Sequence, residues 1–325
     1  MARRYVLISP CRDEVAYIQT TIDSITSQSL LPTKWLIVDD GSTDGTQDII
    51  AAAASEYAFI EVVKRGDRGK RSVGPGVIEA FYAGYAAIAP TDYDYVCKLD
   101  VDLDIPPTYF KRMVEQMEAT PRLGTCSGKP YFPGKDGELV SERCGDENSV
   151  GMIKFYRREC FEEIGGFVRQ VMWDGIDGHR CRMLGWIACS WDEPDLRFIH
   201  LRPMGSSQKN IFTGRTRHGA GQYFMGTGLV YMAASTVYRM VTPPYVVGGA
   251  MMMYGYLKSM ATQKERYGDS AFRKFLRDYQ RRCLVEGKQK ATEALNQKQA
   301  HVWEKGHAQA NHASKGQLAS QITSA

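Results

Sequence analysis

DYVCKLDVDLDIPP, residues Asp94 to Pro107, sets a short apolar run (Tyr95, Val96, Leu99) ahead of carboxylates at alternate positions, Asp100, Asp102 and Asp104. The run reads as a buried strand ending at Asp100. On an extended backbone the three acids point to one side. Pro106 and Pro107 stop the strand, so the acids lie at its carboxyl end, where open α/β sheets bind ligands. Clustered carboxylates repel one another unless a cation neutralises them. Hard oxygen donors of this kind suit Mg2+ or Mn2+, which in turn can hold a diphosphate. An acidic surface turn is the plainer reading of this segment taken alone.

Working outward, the flanking sequence alternates strand and helix. Tyr5–Ser9 is a short apolar run ending at Pro10 in a polar turn, and Ile18, Ile22 and Ile25 then follow helical spacing. Trp35–Val38 reads as a second strand, Asp39–Thr46 as its loop, with a helix following through Ala54. Phe59–Val63 is a third strand, Gly66–Gly76 a glycine-rich basic loop, and Val77–Ile88 a helix. The alternation predicts a Rossmann-like, mostly parallel sheet with flanking helices over residues 1–105. From 106 to 204 the pattern is less regular. It predicts a helix at Tyr109–Glu118, a strand within Gly124–Tyr131, a surface loop over Lys135–Asn148, an extended Gly151–Arg157 and a helix over Asp177–Leu184.

Charge divides the chain. Residues 201–325 hold 18 Lys/Arg against 6 Asp/Glu, whereas residues 1–200 carry an excess of 8 acids. A basic back half fits a phosphate-bearing ligand or an anionic membrane surface. Two apolar stretches, Leu229–Val237 and Tyr245–Leu257, are shorter than the roughly 18–20 residues a spanning helix needs. They suit either core helices or helices lying on a bilayer. Residues 205–286 thus form a basic, apolar helical extension, and 287–325 a polar tail expected to fray or stay disordered. Eight cysteines without a CxxC pair read as reduced core thiols of a cytosolic protein, and the N-terminal apolar run is too short for a signal peptide.

Several segments together resemble a family 2 glycosyltransferase with the GT-A fold. They are ISPCRDE (Ile8–Glu14), VDDGSTDGT (Val38–Thr46), KLDVDLD (Lys98–Asp104), YRRECFEEIGGF (Tyr156–Phe167) and WDGIDGHRCRMLGW (Trp173–Trp186). The resemblance covers about residues 4–204. It implies that Pro10, Arg12, Glu14, Asp39 and Asp40 line the base and ribose pocket of a nucleotide-sugar donor, usually uridine-based. Arg68, Lys70 and Arg71 would approach its phosphates, beside Asp100. Asp100 and Asp102 would be the metal-binding Asp-x-Asp pair for Mn2+ or Mg2+, with His200 completing the coordination. The WDGID stretch would supply the catalytic base, Asp174 or Asp177; it has one more residue between its acids than the family's usual Glu-Asp-x-Asp. Arg215, Arg217 and His218 would meet the leaving diphosphate or an acceptor phosphate.

The resemblance implies an inverting, metal-dependent enzyme that moves one sugar to an acceptor hydroxyl. A polyprenyl-diphosphate-linked glycan in bacterial surface polysaccharide assembly is the expected acceptor, on the cytoplasmic face of the inner membrane. A transferase with a soluble or protein acceptor, or a silent nucleotide-sugar-binding module, are the alternatives. The Gln-x-x-Arg-Trp segment of processive synthases is absent, since Gln222-Tyr223-Phe224-Met225 does not match it. No helix-turn-helix, zinc-finger or aromatic RNA-binding pattern accompanies the basic half, which argues against nucleic acid.

Overall fold

The computed structural model describes residues 3–67, 69, 74–134, 136–202, 211–241 and 245–308. The first unit runs β1 (Tyr5–Cys11), α1 (Ile18–Thr26), β2 (Lys34–Asp39), α2 (Thr46–Glu56), β3 (Ile60–Lys64), α3 (Pro75–Tyr85) and β4 (Tyr95–Leu99). Next come β5 (Leu103–Asp104), α4 (Tyr109–Ala119), β6 (Leu123–Ser127), β7 (Lys129–Pro133), β8 (Leu139–Ser141) and β9 (Ile153–Arg157). Then follow α5 (Arg158–Glu163), α6 (Trp173–Met183), β10 (Ile187–Ser190) and β11 (Arg197–His200). The C-terminal helices are α7 (Ile211–Met225), α8 (Leu229–Met240), α9 (Val247–Ala261), α10 (Ser270–Glu286) and α11 (Lys288–Lys298).

Seven strands form one sheet in the order β10-β6-β9-β4-β1-β2-β3. β1 pairs in parallel with β2 on one side and β4 on the other, while β9 runs antiparallel between β4 and β6. The strand order therefore reverses at β1, and the loops after β1, β2 and β4 open at one edge. Strand alternation divides the side chains between two cores. Tyr5, Leu7, Trp35 and Ile37 join one; Val6, Ile8, Leu36 and Val38 join the other. Both faces are covered, which is why these strands read as continuous apolar runs.

Four differences from the sequence expectations stand out. β1 continues through Pro10 to Cys11, because a parallel neighbour at Val38 still pairs there. The Gly124–Tyr131 strand is two strands in different sheets, bent at Gly128, where a Cβ would collide with the Leu196 carbonyl. β7, β8, β11 and β5 make a second, four-stranded sheet, so part of the expected 135–148 loop is strand. The helix over WDGID begins at Trp173, four residues earlier than its spacing suggested.

The expected fraying after Gly287 is also corrected. Residues 288–308 are largely helical, and Trp303 packs edge-on to Trp186 with ring centroids 5.8 Å apart. Large aromatic contacts of this kind outweigh a polar composition. Residues 309–325 lie outside the described residues. α10 docks on α6 through Phe272, Leu276 and Ile176, and the Asp269 side chain caps its N-terminus by accepting from the Phe272 N–H at 2.9 Å.

That dock carries an acid-sensitive group. The His179 ring on α6 stands 5.4 Å from the Tyr279 ring, and burial, followed by Arg182, pushes its imidazole down to about 3. The unfolded chain takes a proton near pH 6.5 that the folded one refuses. Stability should be fully present above about pH 6.5 and fall as pH drops toward 3, by at most about 1.4 kcal/mol per unit. Urea melts at pH 7 and pH 5 should show the loss, and His179→Leu should flatten it.

Candidate active site

The loops after β1 and β2 are laced together at the sheet's switch point. The Asp13 N–H donates to Ser42 Oγ at 3.0 Å, the Glu14 N–H to Thr46 Oγ1 at 2.9 Å, and the Thr43 N–H to Asp13 Oδ1 at 2.8 Å. Asp39 Oδ1 accepts from the Ser42 N–H at 2.9 Å, closing the turn on itself. Gly41 holds φ +82 in that turn, and a Cβ there would press on Asp67 Cα, so two constraints require glycine. Arg12 donates to the Asp40 carbonyl at 2.7 Å and to Asp67 Oδ1 at 2.8 Å, while Arg65 pairs with Asp40 Oδ1 at 2.8 Å. The structure thus gathers Pro10, Arg12, Glu14, Asp39 and Asp40 at the carboxyl ends of β1 and β2. Arg68, Lys70 and Arg71 lie outside the described residues.

Beyond β4 the chain turns instead of running straight, so Asp100, Asp102 and Asp104 do not share one extended face. Asp104 sits on β5 opposite Ile199 in the second sheet. The Asp100 side chain, one-third exposed, accepts from Lys98 Nζ at 2.5 Å. Burial raises the Asp100 carboxyl, with Lys98 opposing and Asp102 reinforcing the rise. Asp102 is buried: its Oδ2 lies 2.7 Å from Arg202 and 3.7 Å from His200 Nε2. Burial works against the charged Asp102, but His200 and Arg202 outweigh it and hold the carboxyl below its ordinary value. Arg202 also reaches Glu14 at 3.0 Å and so ties the β1 loop to the acid motif. His200 Nδ1 faces both oxygens of Glu142 at 3.1 Å. Burial disfavours its imidazolium, yet Asp102 and Glu142 raise it to about 9.

The donor chemistry suits a hard divalent cation in kind. Asp102 Oδ1 is buried and has no hydrogen-bond partner among the described residues, an oxygen left for something else. In this arrangement, however, no three His, Cys, Asp or Glu side chains among the described residues converge to hold a metal. Lys98 and Arg202 stand where cationic charge is wanted.

The two acids of WDGID part company. Asp177 is fully buried, accepting from Lys154 Nζ at 2.6 Å, from Tyr156 Oη at 2.5 Å and from the Gly178 N–H at 2.6 Å. Burial raises its carboxyl and Lys154 opposes the rise. Asp174, in the first turn of α6, is partly exposed and lies against Gly151. Its own carbonyl accepts from Lys154 Nζ at 3.0 Å. Met172, just before the helix, holds φ +70, an uncommon conformation for a side chain of its size, and this sets the angle of the helix start.

Lys98 and Lys154 stand directly opposite each other on β4 and β9. Like charges in that position repel. Each ammonium has its own carboxylate, Asp100 and Asp177, and the Trp173 ring lies over both at 5.3 and 5.8 Å. Lys98 also donates to the Gly151 carbonyl at 2.9 Å, against whose Cα Asp174 rests. A lysine inside an apolar strand was the available sequence signal for this pair. Arg202 and Glu142 carried none.

α7 leads away from Asp174. A Cβ at Gly221 would press on Met172, which places that face of α7 beside the start of α6. Arg217, one turn earlier on the same face, is half-buried; burial lowers its guanidinium and Asp174 opposes this. Burial, then Arg239, Arg215 and Arg217, push the His218 imidazole down to about 4. Sequence-predicted Arg215 and Arg217, with Arg239 of α8, therefore surround His218, whose imidazole is neutral at pH 7.

A doubly covered parallel sheet reversing at β1, with carboxylates at its open edge and a small second sheet behind them, is the GT-A glycosyltransferase arrangement. The chain belongs to glycosyl transferase family 2, whose model matches residues 6–175, just over half its length. It is 28% identical over 130 residues to the poly-beta-1,6-N-acetyl-D-glucosamine synthase of Staphylococcus epidermidis, an alignment taking in 40% of this chain and 29% of the synthase. The match thus spans less than a third of that relative. A mannosyltransferase of Pyrobaculum calidifontis, solved with GDP-Man and Mn2+, superposes with a TM-score of 0.51 at 16% identity over 94% of this chain and 89% of that one. The 1–349 fragment of S. aureus TarS, solved with UDP-GlcNAc, gives 0.50 at 13% identity over 93% and 92%.

If the buried ion pair holds α6 in place, Lys154→Met should destabilise the protein by about 3–5 kcal/mol, because Asp177 is left buried and uncompensated. Lys154→Met with Asp177→Leu should recover much of that loss. Denaturant melts of the two variants decide, and equal destabilisation by both would refute the pairing argument.

Proposed function

We propose that this chain is an inverting, metal-dependent glycosyltransferase that moves one sugar from a uridine-linked nucleotide-sugar to an acceptor hydroxyl. The observation that carries the reading is the separation of roles in WDGID: Asp174 is open to the cleft while Asp177 is locked inside by Lys154 and Tyr156. A base must come within hydrogen-bond reach of the hydroxyl it deprotonates, and Asp174 is the acid of the two that an acceptor can approach. Asp177 then acts as an anchor for the helix that carries Asp174.

Pro10, Arg12, Glu14, Asp39 and Asp40 take the base and ribose of the donor. Asp100 and Asp102 would hold Mn2+ or Mg2+, the latter through its unpartnered Oδ1. When bound, such an ion supplies positive charge to the departing diphosphate. His200 and Arg202 keep Oδ2 engaged and the carboxylate ionised, and in this reading His200 supports Asp102 in addition to, or in place of, ligating. Asp174 takes the acceptor proton as the hydroxyl oxygen bonds to the anomeric carbon and the nucleoside diphosphate leaves from the opposite face. Arg215 and Arg217 offer positive charge to that diphosphate or to a phosphate on the acceptor, and His218, neutral at pH 7, offers a ring N–H. A lipid-linked glycan of bacterial surface polysaccharide is the acceptor we favour, supported by the apolar, basic unit of α7–α9, whose α7 brings Arg217 near Asp174.

Two measurements test this. Asp174→Asn should leave nucleotide-sugar affinity nearly intact and lower transfer by about 10²–10⁴-fold, since the lost group acts as charge moves. An active Asp174→Asn beside a dead but folded Asp177→Asn would overturn the base assignment. In thermal shift, UDP with Mn2+ at about 100 times its Kd should add about 2.7 kcal/mol, and Asp102→Asn should abolish that gain. Undiminished donor turnover in excess EDTA would overturn the metal reading.

A further inference from the structure

α8 and α9 are apolar on both sides, with Met232, Met252 and Tyr256 buried inward and a further set of apolar residues exposed. The exposed positions of α8 and its C-cap are Leu229, Val230, Ala233, Ala234, Val237, Tyr238 and Val241, an unbroken apolar face at helical spacing. Its inward side carries Met232 with Thr236, Ser235 and Arg239. On α9, Val247, Ala250, Tyr254, Leu257, Lys258, Met260 and Ala261 look outward, and Gly248, Gly249, Gly255 and Ser259 look inward beside Met252 and Tyr256. A helix packed on a water-facing domain is polar on its outer side. The inward glycines have a packing reason. A Cβ at Gly219 of α7 would meet the Met252 carbonyl, and one at Gly255 would meet that of Thr216, so α7 and α9 cross backbone to backbone.

Most of the large apolar side chains exposed on the described surface fall within these helices and their immediate flanks; Val230 is 75% exposed, Val241 68% and Tyr238 66%. A patch of that extent marks an interaction surface. The surrounding charge selects the partner. No Asp or Glu occurs between Asp195 and Glu265, whereas Arg239, Lys258 and Lys264 lie on or just beyond the two helices. A second copy of the chain, docked symmetrically, would bring two such acid-free cationic surfaces together. An anionic bilayer offers both the apolar phase and the countercharge. No helix of the described residues is long and apolar enough to cross a membrane, so the helices would lie in the interface.

We propose that the outward faces of α8 and α9 seat this protein on an anionic membrane surface. The proposal deepens the acceptor reading above. The same helices carry Arg215, Arg217 and Arg239 around His218, with Arg217 near Asp174, so a phosphate on a membrane-borne acceptor meets cations close to the base.

Vesicle flotation of the full chain tests the surface without using activity. The protein should float with phosphatidylglycerol-containing vesicles at low salt, much less at high salt, and little with phosphatidylcholine alone. Val237→Glu with Tyr238→Glu should cut flotation by about tenfold or more, because apolar burial is lost and charge reversed. Both positions face solvent, so the thermal melt should not move. Lys258→Glu with Lys264→Glu should weaken binding to anionic vesicles alone. Wild-type protein that stays in the soluble fraction with both lipids would overturn the proposal. So would a wild-type dimer in sedimentation that Val237→Glu with Tyr238→Glu converts to monomer, since the face would then be a copy interface. A wild type that floats but does not turn over donor would count against the transferase reading and leave this surface standing.

Discussion

Two lysines facing each other across β4 and β9 govern the layout of the site. Lys98 and Lys154 occupy opposite positions on one face of the sheet, both buried. Bare ammonium groups there would be prohibitive. Each draws in a carboxylate, Asp100 from the end of its own strand and Asp177 from α6, and both share the Trp173 ring. The start of α6 is thereby fixed over the sheet, and Asp174 is set beside Gly151 at its open edge. Asp100 and Asp174 are thus both placed by one pair of buried charges.

A second tie crosses the cleft. Arg202 joins Glu14 of the β1 loop to Asp102, and His200 joins Asp102 to Glu142 of the small sheet. In a partly buried site such ion pairs keep the carboxylate ionised, which a cation site requires, while one oxygen of Asp102 stays unengaged. The C-terminal helices extend this arrangement outward. Met232, Met252 and Tyr256 pack inward among small and polar residues, and a second set of apolar side chains faces the surroundings.

Much of the fold was legible in the residues. Uninterrupted apolar runs at Tyr5–Ser9 and Trp35–Val38 report strands covered on both faces, and the helices between them report parallel pairing. VDDGSTDGT and the acids after Leu99 were legible as polar loops at the carboxyl ends of buried strands, which is where the structure puts them. The bend at Gly128 and the docking of 288–308 were not legible. The first depends on the Leu196 carbonyl arriving from far along the chain, and the second on partners equally distant in sequence, Trp186 for Trp303 and the Arg182 and Met183 carbonyls for Gln299.

The sequence by itself determined the strand-helix order, the family motifs and the split between an acidic front and a basic back, since each is written in neighbouring residues. The tertiary structure alone decided which acid of WDGID is free, because three residues of a helix carry Asp177 inward to Lys154 and leave Asp174 outside. It alone brought Arg202 and Glu142 to Asp102 and turned the apolar faces of α8 and α9 outward. Composition records how apolar a segment is. Which way its residues face depends on what packs behind them, and here that is the backbone-to-backbone crossing of α7 and α9.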